Sequence, residues 1–243
     1  MLREFRADLH IHTSLSPCAS LKMSPATIVQ EARRQNLDII GICDHNTAEN
    51  VPALAEAARE SEVAVLPGME VTSREEVHLL ALFDRISPVL CMQEIIFDHL
   101  EGENDPDTFG MQVVVNAEGE VLEFNPRLLI GATSLAIETL ISHVHKLKGL
   151  VIAAHIDRES FSLPGQLGFI PPDMKLDALE ISPEISIESV RGKFPPQFPL
   201  VCFSDAHFPE DIGKSSTIFR LETGSLQEVA MALRRQKGRD VVH

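Results

Sequence analysis

The chain alternates short apolar, β-branched runs with segments of helical periodicity. Strands are predicted at ADLHIH, LDIIGIC, VAVLPGMEV, HLLALF, LVIAAHI, ALEIS, LVCFSDAH and TIFRL. MSPATIVQEARRQN predicts a helix with Ser24 as N-cap and Pro25 at its first position. TAENVPALAEAARES and residues 226–236 predict two more helices. This alternation is typical of a parallel α/β sheet, and seven or eight strands favour a closed or nearly closed barrel.

Residues 84–132 interrupt the alternation. Here MQVVVNAEGEVLEFN predicts a β-hairpin that turns at residues 117–120, after the polar segment EGENDPDTFG. The hairpin is too small to bury much core, so we interpret it as an insertion within one domain of residues 1–243. It either shapes substrate access or is a surface elaboration.

Side chains that bind metals recur where the predicted strands end. In HIH, residues i and i+2 of a strand point to one face, so His10 and His12 have a chelating arrangement. The C-terminal ends of parallel barrel strands meet at one rim, which brings such residues together. Only the turn TSREE separates Glu70-Val71 from Val77-His78, so these strands form a hairpin and His78 returns to that rim. The other strand-end residues are His45, His155, Asp205 and His207.

The remaining histidines lack this arrangement. His143 and His145 lie in SLAIETLISHVHKLKG, whose apolar residues have helical spacing. Residues i and i+2 of a helix are about 160° apart, so we assign both to surface or helix-capping roles. Neither His99 nor the terminal His243 has a local pattern that indicates a function.

Imidazoles combined with several carboxylates suit zinc, manganese or iron. The carboxylate of Glu70 has two oxygens and can bridge two metals. Two neighbouring metals activate water and neutralise the attacking and leaving oxygens of a displacement at phosphorus. The pattern therefore favours phosphate-ester hydrolysis by a metal-bound hydroxide.

Six motifs resemble, in order and spacing, those of the PHP (polymerase and histidinol phosphatase) family of metal-dependent phosphoesterases. They are DLHIHT, CDHNT, GMEVTS, VHLLALF, AAHIDR and FSDAHFP, and they span about residues 7–210. The resemblance implies a distorted (β/α)7, TIM-like barrel with up to three metals on one rim. It implies one metal bound by His10, His12, Glu70 and Asp205, a second by Glu70, His78 and His155, and a third by His45, His207 and a loop ligand. Together with the ligand pattern, the resemblance leads us to expect a phosphoesterase with two or three divalent ions that acts through a metal-bridging hydroxide on a phosphomonoester or a small phosphodiester.

The loop after HIHT departs from the family pattern. That loop usually supplies Asp or His, whereas SLSPCAS contains neither. Cys18 is a candidate for the missing ligand, because a thiolate binds zinc well, or it is a small loop hydrophobe. Asp8 and Asp44, each next to a ligand histidine in sequence, either orient the ligand imidazoles or are solvated strand ends.

Further residues are assigned roles in turnover. We expect Glu70, Asp205 and His207 to be catalytic, with a metal-bound water or His207 assisting the leaving alkoxide. Arg158 either clamps a phosphate or pairs with a neighbouring acid, and Lys214 is a second, less favoured candidate. An amidohydrolase-type enzyme and a catalytically silent PHP-like binding module are the alternatives. The first usually needs a lysine at a ligand strand end, which is lacking here, and the second predicts eroded ligands.

Composition limits the classes of substrate and the cellular location that we expect. The formal net charge of −15 and the lack of Trp and Tyr argue against long nucleic acid and favour a nucleotide or sugar-phosphate substrate. The basic cluster RRQKGR at 234–239 suits a helix end, where it complements the macrodipole, better than a nucleic-acid patch. The four cysteines are scattered and predict no disulfide framework. No apolar run resembles a signal peptide or a membrane span, so we expect a cytoplasmic protein; the oligomeric state is open.

Overall fold

The computed structural model describes residues 1–190 and 192–242, so the terminal His243 lies outside the described residues. The strands are β1 (Arg3–Ile11), β2 (Ile39–Ile42), β3 (Ala64–Thr72), β4 (His78–Leu82), β5 (Val113–Val115), β6 (Val121–Phe124), β7 (Leu150–Ala153), β8 (Ala178–Ile181), β9 (Leu200–Cys202), β10 (Thr217–Leu221) and β11 (Asp240–Val242). The α-helices are α1 (Pro25–Arg34), α2 (Val51–Ala57), α3 (Ile86–Phe97), α4 (Pro106–Phe109), α5 (Ile137–Lys146), α6 (Leu163–Leu167), α7 (Ile187–Val190) and α8 (Leu226–Leu233), and Pro209–Asp211 is a 3-10 helix.

The main sheet has the order β11-β10-β1-β2-β3-β4-β7-β8-β9. Strands β1 to β3 are parallel, β7 to β9 are parallel, and β4 is antiparallel to both neighbours. The chain after β9 returns to β1, where the N–H of His12 donates to the carbonyl of Ala206 at 3.0 Å and that of Ala206 donates to His10 at 3.2 Å. The sheet is therefore a nearly closed barrel, which confirms the predicted α/β fold, and β10 and β11 extend it beyond β1.

Apolar side chains alternate between the two faces of this barrel. Leu9, Ile39 and Phe203 lie among the apolar residues of one buried cluster. Their neighbours Ile40 and Ile42 pack on the other face with residues of the helices. Gly41 lies where β2 approaches β1 closely, since a Cβ there would be 2.6 Å from the carbonyl oxygen of Leu9. This close packing fixes the start of the chain against the next strand.

Local sequence accounts for the first helix. The hydroxyl of Ser24 accepts a hydrogen bond from the Thr27 N–H at 3.3 Å, and Pro25 occupies the first turn. Both features were predicted, and both stabilise a helix start. The loop between β1 and α1 is thereby held between two fixed ends.

The segment 84–132 contains a helix that the sequence pattern did not indicate. Helix α3 buries Val89, Met92 and Ile96 in the same apolar core as the barrel helices. The hairpin β5–β6 follows and is antiparallel, as predicted. Asn50 holds it by donating to the carbonyl of Val113 at 3.0 Å. The hairpin thus lies beside the loop that follows β1.

Among the described residues, every helix is too short or too polar to cross a membrane.

Candidate metal centre

The strand ends bring the predicted ligands together at one rim of the barrel. The register of β3 and β4 pairs His78 with Thr72, so the start of β4 lies beside the end of β3 that carries Glu70. The ligand side chains are mostly buried; His207 is the most exposed at 22 %, and Asp205 and His78 follow at 10 % each. The residues that meet there are His10, His12, His45, Glu70, His78, His155, Asp205 and His207.

Glu70 lies at the centre of this group. Its Oε1 is 2.8 Å from His78 Nδ1 and 3.3 Å from His155 Nε2. Its Oε2 is 3.0 Å from His45 Nδ1. Burial opposes ionisation of this carboxyl, but the charges of His78 and His10 outweigh it and hold the pKa well below its usual range. Glu70 is therefore an ionised carboxylate with each oxygen facing a different set of imidazoles.

Three sets of potential ligand atoms each lie within 4.8 Å of one another. The sets are His10, His12 and Asp205; His45, Glu70 and His78; and His12, His45 and His207. These sets overlap with the three metal sites that the family resemblance implies, but two histidines also join a second set. His45 also joins Glu70 and His78, and His12 also joins His45 and His207.

Hydrogen bonds behind His10 and His12 fix which ring nitrogen carries the proton. The Nδ1 of His10 is 3.1 Å from both carboxylate oxygens of Glu180. The hydroxyl of Ser16 donates to Asp44 at 2.6 Å, so it accepts from His12 Nδ1, 2.9 Å away. Each Nδ1 therefore carries a hydrogen, so that in the neutral ring each Nε2 presents a lone pair to the centre.

The two Nε2 atoms of His10 and His12 lie 3.2 Å apart. Two lone pairs at this separation repel unless a proton or a metal ion lies between them. The buried Nδ1 atoms of His45 and His78 likewise have no hydrogen-bond partner, although both lie close to Glu70 without hydrogen-bonding geometry. Buried polar groups normally have partners, so this set of nitrogen and carboxylate donors fits divalent metal ions.

Asp205 and His207 are held in position from outside the cluster. The Nδ1–H of His207 donates to the carbonyl of Asp205 at 2.9 Å, which leaves the Nε2 lone pair free. The Oδ1 of Asp205 lies 3.3 Å from the Nε2 atoms of both His10 and His12. Its Oδ2 pairs with the Arg158 guanidinium at 2.8 Å. The charge of His10 helps to lower the Asp205 pKa against the opposing effect of burial.

Backbone conformation at the site is unusual. Asn46, His155 and Asp205 all have positive φ angles, of 53°, 30° and 51°. Residues other than glycine rarely adopt positive φ angles, and such backbone strain is commonly found at functional sites. Asn46 shows how it is maintained, since its amide donates to the carbonyls of Leu129 and Gly131 at 2.8 and 2.7 Å.

The two aspartates close to ligand histidines in sequence, Asp8 and Asp44, position the ligand residues indirectly. Asp8 accepts from the N–H groups of Ser204 and Gly213 at 3.0 and 2.9 Å and so anchors the loop that carries Asp205. Burial raises the pKa of Asp8 to about 6. Asp44 acts on His12 through Ser16. Sequence reasoning missed Ser16 and Glu180; the carboxylate inside the apolar strand ALEIS was the available signal for the second.

The other candidate residues differ in position. The Sγ of Cys18 is 3.2 Å from His45 Nε2. Burial opposes its ionisation, but hydrogen bonds with His207 and His45 lower the pKa of the thiol to about 6. Lys214 instead pairs with Asp211 at 2.6 Å. The histidines with other partners are His99, which contacts Ser134, and His145, which contacts Asp177.

The family assignment follows from comparison with known proteins. Residues 8–162, more than half of the chain, match the PHP domain. The chain belongs to the PHP family. Residues 198–237 match the PHP-associated region. The PHP family is metal-dependent, which agrees with the donor set described above.

Two relatives act on RNA according to their names. A 5'-3' exoribonuclease of Haemophilus influenzae is 29 % identical over 85 residues, which are 33 % of this chain and 30 % of that protein. A 5'-3' exoribonuclease of Salmonella typhimurium is 31 % identical over 80 residues, 31 % of this chain and 26 % of that protein. The chain therefore spans less than a third of the length of either relative.

Solved structures share the fold. The lesion-specific endonuclease Q of Pyrococcus furiosus superposes with a TM-score of 0.71 at 20 % identity, covering 98 % of this chain and 58 % of that one. Endonuclease Q in complex with a 27-mer duplex substrate that has an abasic lesion gives a TM-score of 0.70 at 20 % identity, covering 98 % of this chain and 58 % of that one. A two-domain protein of Bacteroides vulgatus with a PHP-like metal-dependent phosphoesterase gives 0.57 at 17 % identity, covering 99 % of this chain and 65 % of that one.

These relatives contradict the expectation of a small phosphorylated partner in place of long nucleic acid. Two physical reasons explain the error. The net charge describes the whole surface and omits the charge of cations held at one rim. Counting only Trp and Tyr as stacking residues also left out phenylalanine. Phe161 and Phe208 are 42 % and 48 % exposed and lie next to the ligand cluster.

Proposed function

We propose that this chain hydrolyses phosphodiester bonds in nucleic acid at a centre of two or three divalent metal ions. The convergence of the His10 and His12 Nε2 lone pairs with the carboxylates of Glu70 and Asp205 carries the proposal. The donor set favours zinc, manganese or iron. Because the ligands come from both halves of the barrel, we also propose that residues 1–243 act as one unit.

Metal ions bound there would polarise the phosphoryl oxygens and lower the pKa of water. Glu70, with one oxygen toward His78 and the other toward His45, is placed to bridge two ions. His10, His12, His155 and Asp205 would complete their coordination. His207 is the most exposed imidazole of the group, at 22 %, so it would hold a metal ion at the open side of the rim, next to the leaving oxygen.

Arg158 would bind a phosphate oxygen of the substrate. Its Nη2 pairs with Asp205 and its Nε donates to the Ser182 hydroxyl at 3.2 Å. The side chain is still 41 % exposed, so other guanidinium N–H groups face solvent beside the centre. This arrangement would couple phosphate binding to the orientation of Asp205.

Two phenylalanines support a nucleic-acid substrate over other phosphate esters. Phe161 stacks on His78 with ring centroids 4.7 Å apart and an interplanar angle of 22°, and its outer face is accessible. Phe208 directly follows His207. Aromatic side chains at such positions stack on nucleobases, typically contributing about 1–3 kcal/mol per base.

A substrate panel tests the proposal. Wild-type protein loaded with zinc or manganese is compared on single-stranded RNA and DNA oligonucleotides, duplex DNA, a mononucleotide and a simple aryl phosphate. We expect kcat/KM for at least one oligonucleotide to exceed that for the monoesters by about tenfold or more. Glu70→Gln, which keeps the shape but removes the bridging charge, should lose that activity.

Other outcomes would contradict the proposal. Monoester hydrolysis without oligonucleotide cleavage would identify a phosphatase. A fully metal-loaded protein that cleaves no phosphate ester would instead support a catalytically silent binding module.

A further inference from the structure

We propose that the Cys18 thiolate is a ligand of one metal ion, which it holds together with His45 and His207, and that this position therefore selects zinc. This inference rests on the proposed metal centre but not on its substrate. It assigns the missing loop ligand in SLSPCAS, where the family usually has Asp or His.

Cys18 belongs to a convergent group of donors. Its Sγ lies 3.2 Å from His45 Nε2, and the ligand nitrogens of His12, His45 and His207 lie within 4.8 Å of one another. His45 is 5 % exposed, and its Nε2 faces the thiol while its Nδ1 faces Glu70. The Nε2 of His207 is free, because its Nδ1–H donates to the carbonyl of Asp205. The thiol therefore adds a fourth donor beside three converging imidazoles.

The loop holds the thiol from both sides. On one side, the Ser16 hydroxyl contacts Asp44 and His12 at 2.6 and 2.9 Å. On the other, the Ser20 N–H donates to the carbonyl of His207 at 2.8 Å. Ser16 contacts the ligand residue His12, and Ser20 contacts the ligand residue His207. The folded loop between them therefore places Cys18 beside the metal centre.

The donor type sets the metal preference. A thiolate is a soft ligand that favours zinc over manganese or magnesium, whereas the carboxylate of Glu70 also accepts the harder ions. The position near Cys18 would therefore differ from the two positions around Glu70. Because Cys18 is exposed at the rim, it would also be open to alkylation when the metal is removed.

The other cysteines provide controls. Cys43 is buried inside the barrel, and Cys202 contacts the Ser215 hydroxyl at 2.7 Å. Cys91 is exposed on α3 and is therefore equally open to reagents. Modification of Cys91 should not depend on metal.

Cobalt substitution tests the inference directly. Metal-free protein is titrated with Co²⁺, and a near-ultraviolet thiolate-to-cobalt charge-transfer band is recorded. We expect the band in wild type and in Cys91→Ala, and its loss in Cys18→Ala and Cys18→Ser. Cys18→Asp should restore the full metal content without the band. A wild-type protein that binds cobalt without this band would overturn the inference.

Alkylation gives a second readout. Zinc should slow modification of Cys18 by iodoacetamide at least tenfold, measured by mass spectrometry, and leave Cys91 unaffected. Equal rates with and without bound zinc would also refute ligation. Neither readout requires turnover, so the two proposals can fail separately. Oligonucleotide hydrolysis without the charge-transfer band would refute only the ligation by Cys18. The band without hydrolysis would refute only the proposed function.

Discussion

Replacing Glu180 by glutamine tests whether the carboxylate behind His10 sets the metal affinity of the centre. Both carboxylate oxygens lie 3.1 Å from His10 Nδ1, and Oε2 also accepts from the His155 N–H at 3.3 Å. A glutamine has one acceptor oxygen, so its NH₂ group must face one of these donors. The side chain is 2 % exposed, so water cannot easily replace the lost acceptor.

The expected loss follows from the position of Glu180 behind a ligand. Removing such a partner typically lowers metal affinity about 10–100-fold, which corresponds to about 1.4–2.7 kcal/mol. The assay is zinc competition with a chromophoric chelator, with thermal unfolding of the metal-free protein as a folding control. Glu184→Gln makes the same charge change at an exposed position nearby and should leave affinity unchanged. Equal affinities in the two variants would refute the reasoning.

Three further predictions concern the rim and the fold. Arg158→Ala should lower kcat/KM for oligonucleotides by about tenfold or more, and Arg158→Lys should restore only part of it, because lysine cannot pair bidentately with Asp205 and phosphate; equal rates for both variants and wild type would contradict this. Phe161→Ala should raise KM for an oligonucleotide by an amount worth about 1–3 kcal/mol and leave monoester turnover nearly unchanged; an equal effect on both substrates would point to His78 packing instead. Asp177→Asn should lower the free energy of unfolding at pH 7 by about 1–3 kcal/mol, since the carboxylate pairs with Arg234 at 2.9 Å. Burial opposes ionisation of Asp177, but its hydrogen bonds hold the pKa below the usual value. The stabilisation by its carboxylate is therefore present above about pH 4 and declines as pH falls further. A difference in unfolding free energy between wild type and Asp177→Asn that grows in acid would contradict this.

The fold was predictable where pattern and connection length agreed. Each short apolar run became a strand, and the turn TSREE was short enough to indicate that β3 and β4 are antiparallel. Helix α3 was missed because its polar residues do not mark its exposed face: Gln93 is 6 % exposed, whereas Cys91 is exposed. A helix whose polarity does not follow its burial has little periodicity to detect.

The site was predictable as a set of residues but not as a network. Strand-end positions and alternation sufficed to nominate the ligands, because parallel strands share one rim. The contacts of Glu180 with His10 and of Ser16 with Asp44 depend on loops and on strands distant in sequence. The substrate expectation failed because total charge and the counts of Trp and Tyr ignore where Phe161 and Phe208 lie.

We propose that the converging ligands hold metals that hydrolyse nucleic-acid phosphodiesters. The most direct measurement is the cleavage rate of one oligonucleotide as metal is restored stepwise to chelated protein. We expect no cleavage without metal and a rise that saturates at two or three equivalents per chain. A chelated protein that cleaves as fast as the loaded one, or a fully loaded protein that cleaves nothing, would contradict the account.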